Sequence, residues 1–214
     1  KYTTLVKPEV AFVTYLYDMF SFMENKIIIL VGKSSSGKSA IENSPVNHGY
    51  RRIVTNTTRP PREHEKDGVD YHFCTKEQFN NLIMSGRMIE YRTYNTVYGI
   101  WYYGTSDSHI FLDDKKGDYV ITLTLDGAEA FVRHFGAENC IIFYIDCPKR
   151  IREDRAKKRG SFTQAEWNRR LITDDQDFTS EKVAKVCNFK VANYNKKLYN
   201  VVREIESDIK IWKS

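Results

Sequence analysis

KIIILVGKSSSGKS, residues 26–39, runs an unbroken apolar stretch straight into a turn made of glycine, serine and lysine. A short continuous apolar run closed by glycine is the mark of a strand buried on both faces. The turn that follows fills the pattern G-x-x-x-x-G-K-[ST] at every fixed position, with Gly32, Gly37, Lys38 and Ser39. Glycines let such a loop curl until successive backbone N–H groups point inward at phosphate oxygens. Gly32, Lys33, Ser34, Ser35, Ser36, Gly37, Lys38, Ser39 and Ala40 are therefore expected to hold the phosphates of a nucleoside triphosphate. Lys38 would reach the β- and γ-phosphates, and the Ser39 hydroxyl would ligate magnesium. A helix opening near Gly37 and stopping before Pro45 would add its positive end.

Strands and helices alternate on either side of this loop. RRIVTN (51–56) reads as a strand, and Thr75 with Gln78 makes a capping box for a helix running to about Gly86. RMIEYRTY and VYGIWYYG, within residues 87–104, are aromatic, partly alternating strands with a turn between them, which predicts a small antiparallel lobe. A helix is expected from Ser106 to Gly117, then a buried strand in YVITLTL (119–125) and a helix before Gly136 capped by Asp126 and Glu129. CIIFYIDC (140–147) supplies a third core strand. From Pro148 the chain turns basic and helical, Thr163 with Glu166 caps a further helix, FKVAN (189–193) is a last short strand, and an amphipathic helix closes the chain. This order predicts an α/β fold: three layers around a parallel sheet.

Composition bounds the rest. The 214 residues suit one domain with inserted lobes, and 41% hydrophobic with 29% charged residues fits a globular chain rather than a disordered one. A net charge of +5, without a long lysine–arginine block, fits anionic small molecules and gives no nucleic-acid footprint. Cys74, Cys140, Cys147 and Cys187 form no CxxC pair, which points to structural thiols in a reducing, cytoplasmic setting. VAFVTYLYDMFSFM (10–23) is too short, and broken by Asp18, to span a bilayer, so no membrane role is expected. MENKIIILVG reads as a fresh start, which leaves residues 1–22 as an N-terminal extension.

The loop names a phosphoryl donor but no acceptor. NTTRPPREHEKDGVDYHF (56–73) addresses the acceptor. Around Pro60 and Pro61 the backbone should lie near polyproline II, and its three residues per turn would bring Arg59 and Arg62 out on one side. Two planar guanidinium forks suit a terminal phosphate or carboxylate.

This stretch resembles the TTR-x-P-R-x-x-E-x-x-G-x-D-Y-x-F signature of guanylate kinases, and the phosphate loop stands at the matching distance upstream. MIEY (88–91), YYGTS (102–106), DRAKKRG (154–160), NRRL (168–171) and VAN (191–193) extend the likeness over about residues 24–212. The resemblance implies a three-layer P-loop kinase fold, with a core of residues 23–50, 106–147 and 181–214, a nucleoside monophosphate lobe at 51–105 and a lid at 148–180. It implies transfer of a phosphoryl group from ATP, with Mg2+, to GMP or dGMP. Arg59, Arg62, Tyr71 and Tyr103 would hold the acceptor phosphate, and Glu90, Thr55, Thr105 and Thr124 would surround the base. Asn193 would join the ATP side, with Arg155, Arg159 and Arg170 as lid residues over the transferring group. Two departures stand out. Thr122-Leu123-Thr124 replaces the family's usual Asp-x-Asp, and the hairpin between Glu90 and Tyr103 is about four residues longer than usual. Both leave room for a same-fold kinase acting on another phosphorylated acceptor. A non-catalytic binding module of this fold is the rival from another class, and the intact phosphate loop speaks against it.

Overall fold

A computed structural model describes residues 25–44, 49–96, 99–113, 117–158 and 162–214. The expected extension at 1–22 lies outside the described residues, as does Arg159.

Five parallel strands form the central sheet in the order β2–β7–β1–β8–β9. β1 is Ile27–Val31, β2 Arg51–Arg52, β7 Tyr119–Thr122, β8 Cys140–Asp146 and β9 Phe189–Ala192. β1 lies in the middle, with Ile27 level with Tyr119 on one side and Cys140 on the other. Its five residues are all buried, as an unbroken apolar run requires. Alternation along the strands sorts their side chains into two cores. Ile27, Ile29, Ile121 and Ile142 face α3 (Leu125–Phe135) and pack on Ala128 and Phe131. Ile28, Leu30, Val120, Ile141 and Phe143 face α7 (Leu198–Lys213) and pack on Val201, Val202, Ile205 and Ile209. Helices on both faces of a parallel sheet make the three layers that the sequence predicts.

The second sheet has the order β4–β3–β6–β5, built from β3 (Asn56–Thr57), β4 (His72–Phe73), β5 (Met88–Thr96) and β6 (Gly99–Ser106). β5–β6 and β3–β6 are antiparallel, while β3 and β4 pair parallel. The Thr75–Gln78 capping box is present and opens α2, Lys76–Met84, whose Phe79 is buried. The helix after the phosphate loop, α1, covers Lys38–Glu42. α4 (Lys149–Lys157), α5 (Gln164–Asp177, capped by Thr163) and α6 (Ser180–Val186) follow β8.

Three local expectations are corrected. RRIVTN (51–56) is not one strand: Arg51–Arg52 joins the central sheet beside β7, and Asn56–Thr57 joins the second sheet beside β6. No α-helix occupies the described part of 106–117: a single 3-10 turn, Asp107–His109, is followed by chain that buries Ile110 and Leu112 in the core. The Phe111 N–H there donates to the Tyr119 hydroxyl at 2.9 Å, so a tertiary partner replaces the helical ladder. The cap of α3 is Thr124, which accepts from the Gly127 N–H at 3.2 Å, and Asp126 lies inside the first turn. The Thr124 hydroxyl, two residues before Asp126 and five before Glu129, fills the capping role that those two acids were expected to supply.

Candidate active site

The phosphate loop leaves β1 at the C-terminal edge of the sheet, where open α/β folds bind their ligands. Its two pattern glycines are sterically required. A Cβ on Gly32 would lie 2.7 Å from the Ile145 carbonyl oxygen, and Gly37 combines φ +100° with a side-chain amide, that of Asn193, pressed against it.

The loop is also clamped from outside. The Asn193 side-chain amide donates to the Ser36 carbonyl at 2.8 Å. Arg155 donates to that same carbonyl at 2.9 Å and to the Asn193 carbonyl at 2.8 Å. Arg152 donates to the Ser34 carbonyl at 3.1 Å and pairs with Asp174 at 2.9 Å. Asp174 in turn accepts from the Ser34 N–H at 2.9 Å and the Ser34 hydroxyl at 3.0 Å. Arg152 and Asp174 are only 3% and 7% exposed, and burial of both charges makes each dependent on the other. Lys38 folds back to donate to the Gly32 carbonyl at 2.6 Å, and Lys33 pairs with Asp175 at 2.6 Å.

The opposite wall is the β5–β6 hairpin. Alternation puts Glu90, Arg92 and Tyr94 on one face of β5, level with Thr105, Tyr103 and Trp101 of β6. The Thr105 hydroxyl donates to Glu90 Oε1 at 2.7 Å. Burial nevertheless pushes the Glu90 carboxyl above its ordinary range, with the Thr105 hydrogen bond and the Arg92 charge pulling the other way. Tyr103 meets Tyr71 edge-on at 6.0 Å and Tyr94 at 5.5 Å.

Arg59 lies 5.4 Å from the Tyr71 ring, is 5% exposed, and donates to Glu65 at 2.7 Å. That bond holds the Arg59 guanidinium above its usual value, with burial opposing it. The Arg62 N–H donates to the other Glu65 oxygen at 2.8 Å while its side chain is exposed. The two arginines of the RPPR stretch thus share a carboxylate but differ in environment.

A cavity of about 780 Å³ separates the two walls. Gly32, Ser34 and Lys38 line it from the loop, Thr55, Tyr71, Glu90 and Tyr103 from the lobe, and Thr124 and Arg170 from the core and α5. Arg59, Arg62, Thr105, Arg155 and Asn193 are not among its lining residues; Thr105 bonds Glu90, and Arg155 and Asn193 bond the loop's outer side. Arg170 and Arg169 both pair with Glu166, at 2.7 and 2.8 Å, and hold its carboxyl down at about 2. Thr122, at the end of β7, lines the cavity and donates to Glu42 at 3.2 Å.

Three residues that brace the site, Glu42, Arg152 and Asp174, stood in no pattern of the sequence, and Glu65, which holds Arg59, was not singled out there. Only Glu65 stood in a pattern that could have marked it, as the Glu of the TTR…E…DY signature. All four cysteines are free thiols, and burial pushes Cys140 and Cys187 up to about 12. Among the described residues, no group of three or more His, Cys, Asp or Glu could hold a metal ion, and no helix is long and apolar enough to cross a membrane.

A phosphate loop at the edge of a parallel sheet, facing a separate small sheet across one cavity, defines a P-loop kinase of the nucleoside monophosphate class. Residues 24–209 match the family model described as guanylate kinase, and the chain belongs to the guanylate kinase family. It is 30% identical over 183 residues to a guanylate kinase of Onion yellows phytoplasma, covering 83% of this chain and 84% of that one. It is 35% identical over 156 residues to a guanylate kinase of Neisseria gonorrhoeae, covering 72% and 74%. The crystal structure of guanylate kinase from Anaplasma phagocytophilum superposes with a TM-score of 0.57 at 20% identity, covering 88% of this chain and 86% of that one, which speaks to the fold.

Proposed function

We infer that the protein is a guanylate kinase that moves the terminal phosphoryl group of ATP, as its Mg2+ complex, onto GMP or dGMP. One observation carries the reading: a single cavity of about 780 Å³ has Lys38 and the loop at one end and Glu90, Tyr71 and Tyr103 at the other. Phosphoryl transfer through a loose transition state asks little covalent help of a protein. It needs the two nucleotides in line, charge neutralised and water kept out.

In this reading residues 32–40 cradle the donor phosphates, and Lys38 exchanges its bond to the Gly32 carbonyl for one to the β- and γ-phosphates. Glu90 accepts hydrogen bonds from guanine N1–H and the 2-amino group, two adjacent donors that only a guanine edge presents among the common bases. Thr105 holds Glu90 in place, and Thr55 and Thr124 complete the base pocket. Tyr71, Tyr103, Arg59 and Arg62 take the acceptor phosphate, Arg59 being pre-set by Glu65. Residues 148–180 act as a lid in which Arg170, with Arg159, closes over the transferring group, while Arg155 and Asn193 keep the loop in shape. The Ser39 and Thr122 hydroxyls are hard oxygen donors of the kind Mg2+ accepts, and an all-protein cage is not required because this ion is held largely by substrate phosphates and water. When bound, Mg2+ would neutralise charge on the β- and γ-oxygens. A cytoplasmic setting fits the four free thiols.

The uncharged Thr122 and Thr124 favour one second reading, a kinase of this fold for a different phosphorylated acceptor. Coupled ADP release from ATP with GMP, dGMP, AMP, CMP and UMP separates the two. Turnover with GMP and dGMP alone is expected. Turnover with another acceptor and none with GMP would establish the second reading, and ATP binding without any turnover would leave only a binding module.

A further inference from the structure

Glu42 is a buried carboxylate that the mechanism above leaves unused, and the role assigned to it here rests on the proposed kinase reading. Glu42 closes α1, three residues after Ser39, and residues three apart share one face of a helix. Its side chain is 9% exposed. It accepts the Thr122 hydroxyl at 3.2 Å, and Arg52 stands 3.8 Å from its other oxygen. Thr122 is the last residue of β7, the strand beside β1, and its side chain faces the cavity that holds Lys38.

P-loop enzymes hold their Mg2+ with the loop hydroxyl and with a carboxylate carried by a neighbouring strand. At the C-terminal end of β7 this chain offers a neutral hydroxyl, and directly behind that hydroxyl lies a carboxylate contributed by the loop's own helix. We propose that Glu42, acting through Thr122, is the positioning residue that supplies negative charge to the Mg2+ of the bound nucleotide. The charge arrives from α1 rather than from the sheet. Partners standing behind a metal's direct ligands orient them and raise their basicity, and losing one costs roughly 10- to 100-fold in metal affinity. A carboxylate that merely tied α1 to Arg52 and β7 would affect stability and leave the metal untouched.

The test is calorimetric titration of ATP into the full chain at a series of Mg2+ concentrations and in EDTA, with melting temperature recorded alongside. For the unaltered protein, Mg2+ should tighten ATP binding. Glu42→Gln should leave ATP affinity in EDTA unchanged and move the Mg2+ midpoint up by about 10- to 100-fold. Adding Thr122→Asp to that variant, which restores a carboxylate at the strand end, should bring the midpoint back. Should Glu42→Gln fail to fold, Thr122→Val, which removes only the bridging hydroxyl, must raise the midpoint in the same direction. A midpoint within about twofold of the unaltered protein in whichever of these variants folds would overturn the proposal, whatever happens to the melting temperature. An unaltered protein that binds no ATP, or shows no Mg2+ effect, would instead count against the kinase reading itself.

Discussion

The two walls of the cavity are built on different principles. The loop wall is made mainly of backbone and is fixed from behind: Gly32 and Gly37 tolerate no side chain, and Asn193, Arg155 and the Arg152–Asp174 pair hold its carbonyls and an amide. The lobe wall is made of side chains on a hairpin. Glu90 is braced by one hydroxyl, Tyr103 by its ring neighbours, and Tyr94 is 45% exposed. A backbone cradle reads what all nucleoside triphosphates share, whereas a side-chain wall reads what distinguishes one acceptor from another. Damage to the first should therefore abolish function or folding, and damage to the second should change preference.

The sharpest break should come at Asp174. Asp174→Ala leaves the Arg152 guanidinium buried without its carboxylate, and such an orphaned charge costs about 3–5 kcal/mol. Urea unfolding should show that loss, together with weakened ATP binding because the Ser34 amide loses its anchor. Lys38→Ala comes next. It should leave the melting temperature nearly unchanged and lower kcat by about 100- to 1,000-fold, the usual effect of removing one preorganised donor to developing charge. Coupled ADP release measures it directly.

On the lobe wall, Glu90→Gln should cut the preference for GMP over AMP by about 1–3 kcal/mol, the value of one well-formed paired contact to a base edge. Its pH behaviour is also specified. Burial raises the Glu90 carboxyl, so GMP binding should fail on acidification at a higher pH than an ordinary carboxylate would give, and the Gln variant should lack that limb. The stability sign is opposite. A raised folded value favours the protonated form, so this group's contribution is intact below the unfolded value and is lost as pH rises through the folded one. Calorimetry should find Glu90→Gln equal to the unaltered protein in acid and more stable at neutral pH. The smallest effect is expected at Arg62, whose side chain is exposed: Arg62→Ala should raise the acceptor KM by about tenfold, near the low end for a charge-assisted hydrogen bond, with kcat little changed.

The same contrast governs what could be read before any coordinates. The loop, β1, β8, the Thr75 and Thr163 caps and α7 are local patterns, and each stands where its residues predict. Glu42 meets Thr122 across 80 positions of sequence and Arg152 meets Asp174 across 22, so no window of neighbouring residues contains either pair. Asp174 looks like one acid among several in TDDQD, and Arg152 like one base in KRIREDRAKK. The helix expected from Ser106 failed because Ile110 and Leu112 belong to the core of the sheet, a demand set by elements remote in sequence. Burial there outweighs local propensity.

The central claim is that one cavity grips two nucleotides with their phosphates end to end. A crystal structure with a non-hydrolysable ATP analogue, Mg2+ and GMP tests it most directly. The account predicts the analogue's phosphates within the curl of residues 32–39, Glu90 on the guanine edge, and the terminal phosphorus within about 3–3.5 Å of a GMP phosphate oxygen. GMP bound away from Glu90, or the two phosphate groups lying apart with the loop turned from both, would contradict it.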